Sequence, residues 1–170
     1  MKAEWLYERL LRPIERQMIS TVGRIVRDPD DAEDVFQEVL VVIWAKLERI
    51  ARHPNPHAYI MRVCVTRSYD ALRKRARRQR REARLDSLKA MLLPFRPQDL
   101  SKDRDRASAV RNAISMLPPN QGRAVLLRAM DGSSYHVIAK ILGCSEATAR
   151  SHFSKGKARL AKILVERGIS

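Results

Sequence analysis

The sequence predicts an all-α protein built as two small helical domains joined by a flexible linker. Three observations carry that expectation. Apolar residues recur at three- and four-residue spacing almost throughout. No run of β-branched alternation bounded by turn residues occurs. Two strongly periodic stretches are separated by a proline-bearing segment of weak periodicity. The expected boundaries are a first domain over 1–84, a linker over 85–105 and a second domain over 106–170, and a chain of 170 residues has room for two such small units.

The elements follow in order. Trp5, Leu6, Leu10, Leu11, Ile14, Met18, Val22, Ile25 and Val26 make a helical stripe, which Pro13 should bend or interrupt. Asp28-Pro29-Asp30-Asp31 is a helix start. Asp28 suits the N-cap, Pro29 the first helical position, and the following acids the positive end of the helix dipole. That helix should run to about Ile50. Asn55-Pro56 repeats the start signal, and a third helix should carry Ala58, Met61, Cys64, Val65, Ser68, Tyr69 and Leu72 on its buried side. It runs on into an arginine cluster at 73–84. The linker holds Pro94 and Pro97.

In the second half, Ala109, Val110, Ala113, Ile114 and Leu117 form a stripe that stops at Pro118-Pro119. A helix from about Gln121 to Met130 ends at Asp131-Gly132. A short helix, Ser134 to Leu142, is closed by Gly143, and Ser145 opens a last helix reaching about Glu166. Two short helices joined by Leu142-Gly143-Cys144 fit a helix-turn-helix between about Gly132 and Leu164, a unit whose second helix enters the major groove of DNA.

Charge supports a polyanionic partner. The formal net charge is +15, but it is unevenly spread. Residues 1–52 carry 9 Lys/Arg and 10 Asp/Glu, residues 53–106 carry 15 and 6, and residues 107–170 carry 10 and 3. A uniformly basic surface would not make that step after residue 52. The N-terminal segment mixes acids and bases and lacks the apolar core of a secretory signal, and no apolar run approaches membrane-spanning length, so a cytoplasmic location without membrane insertion is expected. Cys64 and Cys144 lie far apart with no Cys or His at metal-ligand spacing, so they read as small buried or half-buried residues and no metal or cofactor is expected.

On the last helix, Ala149, Phe153, Leu160 and Ile163 fall on one side. Ala147, Thr148, Ser151, Ser154 and Lys155 lie roughly opposite, with Arg150 and Arg159 at the flanks. Small residues let a helix sit deep in a groove, and hydroxyls and cations meet base edges and phosphates. Gly156, inside this helix, costs about 1 kcal/mol relative to Ala, which calls for close packing or close approach to DNA.

The Pro29 helix has the opposite character. Asp31, Asp34 and Glu38 share one exposed face, bordered by Gln37, in an otherwise cationic chain. DNA would repel that face, so it suits a protein partner with basic groups, or else it is ordinary solubilising charge. On the Pro56 helix, Tyr59, Arg62, Thr66, Arg67, Asp70 and Arg73 point outward. An outward aromatic among arginines fits single-stranded nucleic acid, with bases stacking on the ring and cations tracking phosphates. Packing of Tyr59 against a neighbouring loop is an equal reading. The arginine run at 73–81 suits a phosphate or RNA contact, because like charges at this density repel one another until neutralised.

Taken in order, these segments resemble the extracytoplasmic-function (ECF) sigma factors of the sigma-70 family. Asp28-Pro29-Asp30-Asp31-Ala32-Glu33-Asp34-Val35-Phe36-Gln37-Glu38 is similar to their region 2 signature. Asn55-Pro56-His57-Ala58-Tyr59-Ile60-Met61-Arg62, continuing to Asp70–Arg75, is similar to their minus-ten helix. Leu117-Pro118-Pro119-Asn120-Gln121, the Gly132–Tyr135 segment, Ile138-Ala139, Leu142-Gly143 and Ser145–Ser151 are similar to region 4. The sequence departs from the family at Asn120-Gln121-Gly122-Arg123, where charged residues are usual, at Ala149 for Val, and at His152 for a basic residue.

The resemblance implies a region 2 three-helix bundle over 1–84 and a region 4 helix-turn-helix domain over 106–170. It implies a non-enzymatic subunit that brings core RNA polymerase to promoters and starts transcription. Asp31, Asp34, Gln37 and Glu38 would dock on the clamp of the largest polymerase subunit, and region 4 would meet the flap of the second largest. His53, Asn55, Tyr59, Arg62, Thr66, Arg67, Asp70 and Arg73 would capture the minus-ten element. Ala147, Thr148, Arg150, Ser151, Ser154, Lys155 and Arg159 would read the minus-thirty-five element. The linker would run toward the polymerase active site and RNA exit, and an anti-sigma factor is a further partner the family allows.

Three other readings compete. A LuxR-like helix-turn-helix regulator would share the pattern around Ile138–Ser151 but needs neither the acidic face nor the arginine-rich helix. A nuclease needs converging carboxylates or a His with a nucleophile, whereas His53, His57, His136 and His152 are scattered. A basic RNA-binding protein would show a purely salt-driven affinity.

Overall fold

The computed structural model describes residues 2–90, 102–130 and 132–169, and among them all regular structure is helical. The order is α1 (Lys2–Leu10), a 3₁₀ turn at Arg12–Ile14, α2 (Glu15–Val26), α3 (Pro29–Ala45), α4 (Leu47–Ala51) and α5 (Pro56–Ala90) in the first half. The second half has α6 (Lys102–Ile114), α7 (Pro119–Ala129), α8 (Tyr135–Leu142) and α9 (Glu146–Glu166).

Local chemistry sets the boundaries. Pro13 sits inside the 3₁₀ turn that separates α1 from α2. Asp28 caps α3 by accepting the Asp31 N–H at 3.2 Å, with Pro29 at the first position. The helix expected to reach Ile50 instead breaks at Lys46, whose N–H turns back to the Ile43 and Trp44 carbonyls. The break lets α4 pack against α1 and α5 while Leu47 and Ile50 stay buried. Asn55 accepts the Ala58 N–H at 2.9 Å and starts α5. All seven residues expected on the inner side of α5 are buried; α5 packs on α2 and α3, and its Tyr69 lies against the second half.

α5 continues to Ala90 and α6 begins at Lys102, so both ends of the expected linker are helical. Leu85, Leu88, Lys89 and Ala90 are good helix formers and extend the helix past the expected boundary at 84. The rest of that linker, 91–101, lies outside the described residues.

The second half is a compact four-helix unit. Ser134 caps α8 through the Val137 N–H, and Ser145 caps α9 through the Thr148 N–H at 3.1 Å. Between them Gly143 adopts the left-handed conformation at φ +68°, where glycine has no Cβ penalty. Ile138, Ala139, Ile141 and Ala149 are buried across the turn, with Leu142 and Phe153 partly buried beside them.

The two halves are in contact. Tyr69 of α5 is fully buried, and its hydroxyl donates to the Leu117 carbonyl at 2.5 Å and lies 3.3 Å from the Ile114 carbonyl. Gly122 of α7 lies against the same ring, where a Cβ would come within 2.6 Å of Cζ. The Asn112 amide donates to Gln79 at 2.9 Å. Burial, then the nearby Arg27 and Arg75 cations, holds Arg111 of α6 below the ordinary guanidinium range. The junction therefore joins apolar packing and hydrogen bonds with like-charge repulsion.

Candidate nucleic-acid interface

Three surfaces carry the expected residues. The first is on α3. Asp34, Gln37 and Glu38 are exposed and, with Val41, Val42 and Arg67, line a shallow groove between α3 and α5. Asp31 is not free in the same way. Its Oδ2 lies 2.8 Å from Nη1 of Arg75, which is also 3.6 Å from Asp28. The Asp31 N–H, then Arg75, hold the Asp28 carboxyl below its ordinary value. Of the four expected docking residues, the structure thus leaves three fully available and engages Asp31 with α5.

Sequence reasoning missed the apolar part of this surface. Val41 is 67% exposed and Trp44 50% exposed. Val41 follows Gln37 and Glu38 by one helical turn, which is the signal that could have found it. Trp44 stacks on Tyr7 with ring centroids 5.8 Å apart.

The second surface is the start and outer face of α5. His53 and Tyr59 pack edge to face at 5.3 Å, and the Asn55 N–H donates to His53 Nδ1 at 3.0 Å. Tyr59 is half-buried against this loop, and the Asn55 side chain is taken up by its cap. Thr66 and Arg73 are half-buried and Asp70 is exposed. Arg67 turns away to line the acidic groove on α3. At about 100° per residue it falls roughly 100° from Thr66, off the stripe made by Tyr59, Arg62, Thr66, Asp70 and Arg73. Arg62 reaches the second half of the chain. Its Nε donates to the Ile141 carbonyl at 2.5 Å, and its guanidinium occupies the space a Cβ on Gly143 would need.

The third surface is α9. Ala147, Thr148, Arg150, Ser154, Lys155 and Arg159 are exposed, and Ser151 is half-buried. Thr148 Oγ1 lies 2.8 Å from Ser145 Oγ, inside the cap. The Arg150 guanidinium sits 4.8 Å over the Tyr135 ring, and Arg128 lies 5.0 Å from the same ring. Tyr135 thus fixes two cations at one edge of the helix-turn-helix, a platform the sequence did not announce. Gly156 faces inward: a Cβ there would meet Val125 Cγ2 at 2.8 Å and the Gln121 carbonyl at 3.0 Å. Close approach of α9 to α7, not to DNA, accounts for this glycine.

Neither thiol is reactive by environment. Cys64 is buried and burial pushes it up to about 12, while burial also raises Cys144 against the opposing pull of Arg62. Among the described residues, no group of three or more His, Cys, Asp or Glu side chains could hold a metal ion, and no helix is long and apolar enough to cross a membrane.

Comparison with known proteins agrees with this layout. The family model for sigma-70 region 2 matches residues 6–78, and that for sigma-70 region 4 matches residues 107–160. The RNA polymerase sigma-E factor of Streptomyces coelicolor is 28% identical over 165 residues, spanning 96% of this chain and 88% of that protein. The ECF RNA polymerase sigma factor SigM of Mycobacterium tuberculosis is 25% identical over 160 residues, covering 94% and 78%. The fold is similar to that of the sigma factor RpoE from Bartonella quintana, solved with the anti-sigma factor NepR. That match has a TM-score of 0.50 and 23% identity over 93% of this chain and 96% of that one. A free-standing LuxR-like regulator is not favoured, because it does not explain the region 2 match. An acidic face on α3, a cationic face on α9 and two sigma-70 regions in chain order lead to one assignment: the chain belongs to the sigma-70 family of RNA polymerase sigma factors, in the ECF group.

Proposed function

We propose that this chain acts as a transcription initiation subunit in the cytoplasm, docking on core RNA polymerase through α3 and reading a bipartite promoter through α5 and α9. The observation that carries this reading is the pairing of opposite surfaces on one chain. Asp34, Gln37 and Glu38 stand exposed where DNA would be repelled, while Arg150, Lys155 and Arg159 stand exposed on a helix-turn-helix. A protein that only held DNA would not need the first.

Asp34, Gln37 and Glu38 meet the polymerase clamp, with Val41 adding apolar contact beside them. Asp31 joins them once Arg75 releases it. Region 4 meets the flap of the second-largest subunit. His53, Tyr59, Thr66, Asp70 and Arg73 meet the minus-ten strand. Arg62 joins them only when it leaves Ile141. Ala147, Arg150, Ser151, Ser154, Lys155 and Arg159 meet the minus-thirty-five duplex. Control by an anti-sigma factor is consistent with the complex in which the Bartonella relative was solved, with the anti-sigma factor NepR. No catalytic role is assigned to any residue.

The test is Asp34→Arg. Binding to core polymerase, measured by co-purification or fluorescence anisotropy, should fall at least tenfold while the circular dichroism spectrum stays unchanged. Unaltered core binding would remove α3 from the docking role.

A further inference from the structure

Three arginines meet where the two halves of the chain join, and none of the surfaces above uses them. Arg27 is the C-cap of α2, Arg75 stands midway along α5, and Arg111 lies in the last turn of α6. Contacts on either side bring them together. Arg27 directly precedes Asp28, whose carboxylate lies 3.6 Å from Nη1 of Arg75. Gln79 follows Arg75 by one helical turn on the same face. Gln79 accepts the Asn112 amide at 2.9 Å, which sets the neighbouring Arg111 beside α5. The cluster therefore takes two arginines from the first half and one from the second.

Charge is not balanced within this cluster. Asp28 and Asp31 both approach Arg75 at Nη1, which leaves Nε and Nη2 of its planar fork for another acceptor. Arg111 is half-buried, and the charges acting on it are the cations Arg27 and Arg75, with no acid among them. Among the described residues, neither Arg27 nor Arg111 forms an ion pair. Like charges in a partly desolvated place are screened less than on an open surface. The closed arrangement of the halves thus carries a repulsion that its own residues do not relieve.

Arg27 adds a backbone cost. Among the described residues it alone, apart from glycines, has a positive φ, at 66°. Its N–H closes the end of α2 on the Gly23 carbonyl at 2.9 Å, a position that glycine fills without strain. The chain instead holds a guanidinium there, at the junction. Strain of this kind collects at ligand sites.

A multivalent anion would answer these features together. Guanidinium forks match phosphate oxygens, and a phosphate between the three arginines would turn their mutual repulsion into attraction. A nucleic-acid strand fits less well. The arginines converge from three packed helices instead of lining one exposed face, and Asp28, Asp30 and Asp31 flank them.

We propose that Arg27, Arg75 and Arg111 bind a compact polyphosphate, free or as part of a nucleotide, and that the bound anion holds the two halves closed. The site belongs to the free chain, so its test does not depend on the promoter reading.

The experiment titrates the free full-length chain with pyrophosphate and with ATP at near-physiological salt, by calorimetry and by thermal midpoint. Saturable binding of one anion per chain is expected, with a rise in midpoint. Arg111→Met keeps the apolar stem and should weaken binding about tenfold or more by removing a charge-assisted contact. Arg27→Gly is the sharper variant. Glycine relieves the backbone, so the midpoint without anion should equal or exceed that of the parent, while the response to pyrophosphate is lost. Gly122→Ala, which crowds the Tyr69 ring at the junction, should also weaken binding, because the site needs both halves. Arg80→Ala combined with Arg84→Ala removes two exposed cations elsewhere on α5 and should leave binding unchanged. ATP bound more tightly than pyrophosphate would identify a nucleotide as the ligand, and equal affinities a free polyphosphate. A loss in the Arg80 and Arg84 variant equal to that in Arg111→Met would mean that the anion senses net charge alone, and would overturn the proposal. So would a lack of saturable binding, full binding by Gly122→Ala, or arginine variants whose sole defect is in binding DNA.

Discussion

The Arg62 Nε donates to the Ile141 carbonyl at 2.5 Å, tying the outer face of α5 to the last turn before the helix-turn-helix loop. Ile141 and Arg62 are 79 residues apart, so this bond joins the two sigma regions directly. Arg62 stands on the stripe expected to meet minus-ten DNA. In this arrangement its guanidinium is turned to protein, and the α5 face and the helix-turn-helix are held together. On the proposed reading, both surfaces would engage a promoter only after that contact opens.

Gly122 offers a clean way to force it open. A Cβ there would come within 2.6 Å of Cζ and Oη of Tyr69, a ring fixed by burial and by its bond to Leu117. Gly122→Ala should favour α7 itself, since Ala is the better helix former, while driving the halves apart. Small-angle scattering of the free chain should show a larger radius of gyration with the helix content retained. An unchanged radius would mean that the halves do not depend on this packing.

The Tyr69 hydroxyl also predicts a pH dependence. Desolvation by burial raises its pKa above the ordinary 10. A folded pKa raised above the unfolded one gives stability that is fully present below about pH 10 and is lost as pH rises through the folded value. The contact between halves should therefore hold through neutral pH and open in strong alkali. Phenolate absorbance should show Tyr69 titrating late and together with the increase in radius, whereas Tyr7, whose pKa burial also raises, should titrate without a change in radius. In Tyr69→Phe the titration coupled to the radius should vanish; its persistence would place the pH dependence elsewhere than at Tyr69.

Gly156→Ala should destabilise the second half despite its helix-propensity gain of about 1 kcal/mol. The new methyl would press on Val125 and on the Gln121 backbone carbonyl, and overpacking of this kind costs about 1–3 kcal/mol. A lower thermal midpoint is expected. A midpoint equal to or above that of the parent would mean that α7 and α9 can separate at no cost.

Much of this was legible in the sequence because it is local. Asp28, Ser134, Ser145 and Gly143 mark their helix ends by chemistry acting within three or four residues. The inner face of α5 follows from one period repeated over a long helix. What was hidden depends on residues far apart in the chain. The partner of Asp31 is Arg75, that of Arg62 is Ile141, and the neighbour of Gly156 is Gln121. No periodicity within a helix reports such pairs. The break at Lys46 was missed for a related reason: the apolar spacing from Ile43 to Leu47 and Ile50 suits both a straight helix and two packed ones.

The most direct test of the central claim is run-off transcription on a promoter selected from a library, with core polymerase and chain added separately and together. Only the combination should give specific transcripts, and mutation of either promoter element should reduce them. Tight specific binding of the free chain to duplex DNA, with no promoter-specific transcription on adding core, would contradict the account.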